Sequence, residues 1–167
     1  MKGGKGVDNI MLWTRIDIEN LYERQVKPLY RLCYSYTRNG MDAEDLVQQT
    51  LMKVLERTEP FASLDHEKAW LMVTAKNLSK NHLKKKKTME LPMEDVMNSP
   101  TDSSEKDIVA AFHQLKEKYR IPMLLYYVEG YDTKEIGVLL NRRPSTVRTQ
   151  LERGRKALEE LLGGEHL

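Results

Sequence analysis

Apolar residues recur at helical spacing through most of this chain, and no segment alternates with the period of two that marks a half-buried strand. The spacing predicts a first helix opened by Asp17 and continuing to about Arg38. Its apolar positions are Ile18, Leu21, Tyr22, Val26, Leu29, Tyr30, Cys33 and Tyr36. Pro28 lies inside it, where proline costs about 3 kcal/mol, so a kink is expected. Asn39-Gly40 reads as the stop signal. Asp42 then caps a second helix, from Ala43 to about Arg57. Leu46, Val47, Thr50, Leu51, Val54 and Leu55 form its buried side, with Glu44, Asp45, Gln48, Gln49 and Glu56 outside. Residues 58–66 contain Pro60 and read as a loop. A third helix follows, from about Leu64 to Lys87. Leu71, Ala75, Leu78 and His82 line one side of it; Trp70, Val73, Asn77, Lys80, Asn81 and Lys84 sweep round another.

The pattern then breaks. Residues 88–104 hold two prolines, four acids and no base, the composition of a flexible linker and the main domain boundary. Fully extended, such a segment reaches roughly 55–60 Å, or about 16–17 base pairs at ~3.4 Å each. Ser104 and Asp107 open another helix carrying Ile108, Ala111, Phe112 and Leu115. Pro122 starts a further one with Met123, Leu124, Tyr127 and Val128, ended by Glu129-Gly130.

The last stretch, residues 132–162, predicts two helices and a tight turn. Asp132 and Glu135 have capping-box spacing, and Ile136, Leu139 and Leu140 give the first helix an apolar side. Asn141 takes a left-handed conformation at low cost, and Pro144 suits the first position of the next helix. There Val147, Leu151, Leu158 and Leu161 form one stripe, with Gly154 filling the slot between them. Ser145, Arg148, Thr149, Glu152 and Lys156 fall opposite, flanked by Arg142, Arg143, Arg153 and Arg155. The result is a helix-turn-helix whose basic second helix suits a major groove. The plainer alternative is a helical hairpin with a solvated face.

Net charge is only +2, so overall charge does not itself imply a nucleic-acid partner. Clustering does: residues 142–156 carry six Arg/Lys against one acid. From Lys68 to Thr88 there is no acid, while Lys76, Lys80 and Lys84 through Lys87 add six positive charges. Part of that run answers the helix dipole; four consecutive lysines exceed the need. A basic helix with Trp and Asn suits a single strand, charge tracking the backbone while rings stack bases and amides bond their edges. The alternatives are core packing for Trp70 and an intramolecular cover of the lysines by the linker acids.

With 167 residues the chain is long enough for one domain or two small ones, each marginal alone. A single cysteine, Cys33, excludes an intramolecular disulfide and fits a core position in a cytoplasmic protein. No apolar run is long enough for a transmembrane helix. The opening residues read as a flexible tail, and their GGKG lacks the spacing of a phosphate-binding loop. The four histidines are scattered, and no HExxH, CxxC or Ser/His/Asp signature is present. An enzyme is therefore disfavoured, with no catalytic residue, metal ligand or cofactor assigned.

Three blocks carry a family resemblance. LYERQVKPLYRLCYSYTRNGMDAEDLVQQTLMKVL resembles the core-polymerase-binding part of region 2 of bacterial sigma factors. KAWLMVTAKNLSKNHLKKKK resembles the promoter-melting, −10-reading part, and KYRIPMLLYYVEGYDTKEIGVLLNRRPSTVRTQLERGRKALEEL resembles region 4, which reads the −35 element. Two regions with a short linker are similar to the extracytoplasmic-function (ECF) group. The resemblance implies an all-α protein: a tail at 1–15, a region 2-like domain at 16–87, a flexible linker at 88–104 and a helix-turn-helix region 4-like domain at 105–163. It implies a non-catalytic, cytoplasmic factor without a cofactor that binds core RNA polymerase, through the β′ clamp helices and the β subunit, and directs it to promoter DNA. A membrane insertion of its own is not implied; an anti-sigma factor is. Asp45, Gln48 and Gln49 would face the clamp helices, where many family members have Glu at the position of Gln49. Asn77, with Lys76, Lys80, Asn81 and Lys84, would meet the −10 strand. Asn77 would help hold an extruded base, and residues 59–66 would form the rest of that pocket. Arg142, Arg143, Ser145, Arg148, Thr149, Glu152, Arg153 and Arg155 would meet the −35 duplex. Asn81 stands where Asp is usual and Gly137 where Ala is usual, and glycine costs about 1 kcal/mol in a helix.

Two other readings compete. An autonomous helix-turn-helix regulator would use only the C-terminal unit and dimerise on a palindrome, but no dimerisation heptad is visible and the N-terminal half would be idle. A helical adaptor without DNA function would leave both basic faces solvated.

Overall fold

The computed structural model describes residues 13–89 and 103–164, with side chains in the second stretch from Asp107 onward. Every regular element among them is helical, and the chain divides into two compact units between Leu91 and Pro92.

The N-terminal unit packs three helices, α1 (Arg15–Thr37), α2 (Gly40–Leu55) and α3 (Leu64–Thr88), each against the other two. α1 starts earlier than expected. Thr14 is the cap and Asp17 its reciprocal partner: the Asp17 N–H donates to Thr14 Oγ1, and the Thr14 N–H donates to Asp17 Oδ2. The helix runs through Pro28 without a break. Its stop is Arg38, in the left-handed region at φ 51°. Asn39, expected to end α1, instead opens α2 by accepting from the Asp42 N–H, so Asp42 lies inside the helix and not at its cap.

The core holds Leu21, Leu29, Leu32, Cys33 and Tyr36 of α1, Ala43, Leu46, Val47 and Val54 of α2, and Leu71, Met72 and Ala75 of α3. A fully buried leucine contributes about 1.5–3 kcal/mol. Burial pushes the Cys33 thiol up to about 11, so it packs as a small apolar group. Two expected core residues, Tyr22 and Leu55, are about half exposed. α1 meets both neighbours, so its buried band turns toward Gln25, Leu29 and Leu32. Gln25 is buried because its amide donates to Glu67 Oε1 at 3.0 Å, and Arg24 donates to both oxygens of the same carboxylate at 3.0 and 3.1 Å. A carboxylate that accepts three hydrogen bonds from two donor groups is stable where an unpaired one would not be, and this one fixes α1 to the start of α3.

The C-terminal unit comprises α4 (Ser103–Gln114), α5 (Glu117–Met123), a π-helical turn (Leu124–Val128), α6 (Thr133–Leu140) and α7 (Pro144–Leu161). α7 packs on α4, α5 and α6. Pro122 does not start a helix; it sits inside α5, which begins at Glu117. The wider turn that follows leaves Tyr127 and Val128 about half exposed, contrary to the expected core, with Tyr126 exposed beside them. Buried Arg120 donates to the carbonyls of Leu115 and His113 and so satisfies the end of α4. Val147, Leu151 and Leu158 are buried as expected, while Leu161, in the last turn, is 45% exposed. Gly154 is buried against α5, where a β-carbon would stand 2.5 Å from Met123 Sδ.

Both expected boundary segments shrink. Thr88 belongs to α3, Ser103 and Ser104 to α4, and Trp13 through Arg15 to the start of the folded unit. Met89 caps α3, while residues 90–102 of the expected linker and residues 1–12 of the expected tail, with their GGKG, lie outside the described residues.

Candidate nucleic-acid interface

The turn between α6 and α7 is built by local chemistry. Asp132 Oδ1 accepts from the Lys134 and Glu135 N–H groups at 2.8 Å, and Glu135 Oε2 accepts from the Asp132 N–H at 2.8 Å. Asn141 takes φ 52°, Pro144 occupies the first turn of α7, and the Arg142 N–H donates to the Gly137 carbonyl at 2.8 Å. The turn thus crosses directly over α6.

Arg143, at the N-cap of α7, and Ser145, Arg148, Thr149, Glu152, Arg153 and Arg155 on the helix are all exposed. Arg142 is half-buried and donates to Gln150 Oε1 at 3.0 Å, which places it in the turn's own framework. Thr149 Oγ1 donates back to the Ser145 carbonyl at 3.1 Å. Lys156 pairs with Glu152 at 3.3 Å. Arg155 donates to the Tyr127 hydroxyl at 2.9 Å, which holds its guanidinium pKa above the ordinary value. Among the described residues Arg143 and Arg148 have no such partner.

On α3, Asn77, Lys80, Asn81 and Lys84 are exposed and Lys76 is half-buried. Spacing puts Trp70, Val73, Asn77 and Lys84 on one stripe. The lysine run is not uniformly free. Lys86 binds Asp42 Oδ2 at 2.8 Å, beside His82 Nε2 at 3.1 Å. Partial burial pushes the Asp42 carboxyl up, but Lys86 and His82 outweigh it and hold it below the usual value.

The loop ahead of α3, residues 57–63, carries groups that periodicity could not assign. The Phe61 ring lies 5.7 Å from Trp13, 5.6 Å from Trp70 and 5.6 Å from His66. The Arg57 guanidinium stacks over Phe61 at 4.2 Å and Trp70 at 4.9 Å. Ser63 caps α3, and the Ala62 N–H donates to His66 Nδ1 at 3.0 Å. Trp70 is therefore half-buried in a ring cluster, neither fully in the core nor free to stack a base. An aromatic in a proline-containing loop was the available signal for Phe61.

On α2, Asp45, Gln48 and Gln49 are exposed. Gln48 also lines a groove of about 490 Å³ between α1 and α2, with Tyr22, Val26, Tyr30, Glu44 and Val47. No group of three or more His, Cys, Asp or Glu able to hold a metal occurs among the described residues, and no helix among them is long and apolar enough to cross a membrane.

Two family matches cover these units: Sigma-70 region 2 over residues 21–88 and Sigma-70, region 4 over residues 105–158. The RNA polymerase sigma factor CarQ of Myxococcus xanthus is 29% identical over 154 residues, covering 87% of this chain and 88% of its own length. The ECF RNA polymerase sigma factor SigW of Bacillus subtilis is 27% identical over 166 residues, covering 87% of each. This chain is an ECF-type sigma factor of the sigma-70 family. It directs RNA polymerase to promoters through regions 2 and 4 and is not an enzyme. The fold agrees with that of the sigma factor RpoE solved with the anti-sigma factor NepR from Bartonella quintana, at TM-score 0.75 and 23% identity over 90% of this chain and 99% of that one. CnrH, solved with the cytosolic domain of CnrY, gives TM-score 0.64 at 17% identity over 95% and 99%. In this sigma factor α1 to α3 are region 2, and α4 to α7 are region 4.

Proposed function

We propose that this sigma factor divides promoter recognition between two surfaces built on different physics. The exposed face of α3, with the loop at 57–63, takes the separated −10 strand; Asn77 bonds an extruded base, and Lys76, Lys80, Asn81 and Lys84 track the backbone. Extrusion costs a few kcal/mol, which only a formed pocket offsets. The exposed face of α7 takes the −35 duplex. Arg143, Arg148, Arg153 and Arg155 meet phosphates, while Ser145, Arg148, Thr149 and Glu152 reach base edges. Arg142 acts through the turn it braces.

Asp45, Gln48 and Gln49 contact the β′ clamp helices, with the β subunit as a second polymerase contact. The two domains, region 2 on α1 to α3 and region 4 on α4 to α7, then engage the two promoter elements separately. An anti-sigma factor holds the protein in check, in line with the similar sigma factor RpoE, solved with the anti-sigma factor NepR. The site of action is the cytoplasm, where the polymerase works.

The observation that carries this reading is the exposure of Arg143, at the N-cap of α7, and Arg148, on it, without a partner among the described residues, which leaves their charge available to a phosphate. Run-off transcription tests it. Core RNA polymerase with this protein should give discrete transcripts from genomic promoter fragments that polymerase alone does not give. Specific duplex binding without such transcripts would instead support an autonomous regulator.

A further inference from the structure

The loop proposed for the extruded base packs against a residue that precedes the region 2 match. Residues 57–63 lie outside any helix; hydrogen bonds hold their two ends, at Arg57 and at Ala62 and Ser63, and ring packing holds Phe61 between them. Phe61 is the centre of that packing, within 5.7 Å of the Trp13, His66 and Trp70 rings. Two of these rings belong to α3, on which Asn77 lies two turns beyond Trp70. The third, Trp13, comes from ahead of α1, upstream of the region 2 match that begins at residue 21.

Trp13 is itself firmly placed. It adjoins the Thr14 capping box, where Thr14 Oγ1 donates to Asp17 Oδ2 at 2.6 Å and the Asp17 N–H returns to Thr14 Oγ1 at 3.1 Å. Its indole N–H is buried without an acceptor among the described residues, so ring contact and not a hydrogen bond holds it. The chain of contact runs from the capped start of α1, through Trp13, to Phe61 and the loop. A pocket that discriminates bases must hold its walls to a fraction of an ångström.

We propose that Trp13 is a positioning residue for −10 base discrimination, bracing Phe61 so that the loop at 57–63 keeps its shape when a base enters. The proposal rests on the assignment of that loop to the extruded base. It makes a residue outside region 2 a determinant of promoter choice.

The test uses the full chain in holoenzyme. Four templates, otherwise identical to a promoter mapped by run-off transcription, differ only in the base at the most sensitive −10 position. Open-complex formation is measured on each for the wild type, Trp13→Ala, Trp13→Phe and Phe61→Ala. Trp13→Ala should flatten the preferred-to-disfavoured ratio roughly three- to tenfold, the scale of one aromatic contact. Binding of the −35 duplex should stay within about twofold, because α7 is untouched. Trp13→Phe keeps a ring, removes the orphan donor and should restore the ratio. If Trp13→Ala slows all four templates equally, or leaves the ratio unchanged while Phe61→Ala flattens it, the positioning role is wrong and the pocket stands. If Phe61→Ala also leaves the ratio intact, the pocket assignment itself falls, and the role of Trp13 with it.

Discussion

The backbone of Arg142 grips Gly137 from both directions. Its N–H donates to the Gly137 carbonyl at 2.8 Å, and its own carbonyl oxygen lies 2.6 Å from where a β-carbon on residue 137 would sit. From the sequence, Gly137 is a liability of about 1 kcal/mol in a helix. The structure reverses that sign, since only a residue without a β-carbon lets the turn cross α6 so closely.

Gly137→Ala is therefore expected to destabilise region 4 despite its better helix propensity. Overpacking against backbone costs roughly 1–3 kcal/mol, against a gain of about 1 kcal/mol. Urea unfolding followed by a probe in region 4 should show a lowered midpoint. A raised midpoint would mean that the turn moves aside freely.

The ion cluster at the N-terminal end of α2 predicts an acid-dependent term. The Asp42 carboxyl is held below its ordinary value of 3.8 by Lys86 and His82. A depressed carboxylate stabilises the fold above its unfolded value and loses that contribution as pH falls through the folded one. Asp42→Asn should thus cost about 1 kcal/mol near neutral pH, and the gap to wild type should narrow below pH 3.8. Denaturant unfolding at both pH values checks this. A gap that persists unchanged in acid would assign the loss to packing and not to charge.

The exposed acid-amide face of α2 can be separated from the core beneath it. Asp45→Ala with Gln48→Ala alters two exposed side chains, so thermal stability should hold. Affinity for core RNA polymerase should fall by about tenfold or more, the worth of one charge-assisted hydrogen bond. Undiminished co-purification with polymerase would reject this face.

What the sequence made legible follows the range of each signal. The helix-turn-helix was readable almost residue by residue because its signals are local: Asp132 with Glu135, Asn141 in the turn, Pro144 after it. The end of α1 was legible in kind but not in role, because Arg38 and Asn39 close one helix and open the next within two residues. Pro122 misled because a proline in a first turn and one deeper in a helix look alike when the true start, Glu117, carries no side-chain cap. The contacts that shape the surfaces were out of reach. Arg24 with Glu67 and Arg155 with Tyr127 join residues 43 and 28 positions apart, and no periodicity couples such pairs.

One measurement addresses the division of labour between α3 and α7 most directly. Promoter opening and −35 duplex binding are followed side by side for two variants, Asn77→Ala and the pair Arg148→Ala with Arg153→Ala. Asn77→Ala should reduce opening by roughly tenfold while leaving duplex binding within about twofold, since base extrusion alone depends on it. The arginine pair should weaken duplex binding and lower its salt dependence by about two units of slope, because each phosphate that an arginine neutralises adds about 0.9. If Asn77→Ala reduces both equally, or the arginine pair leaves the salt slope unchanged, the assignment of separate jobs to the two faces is contradicted.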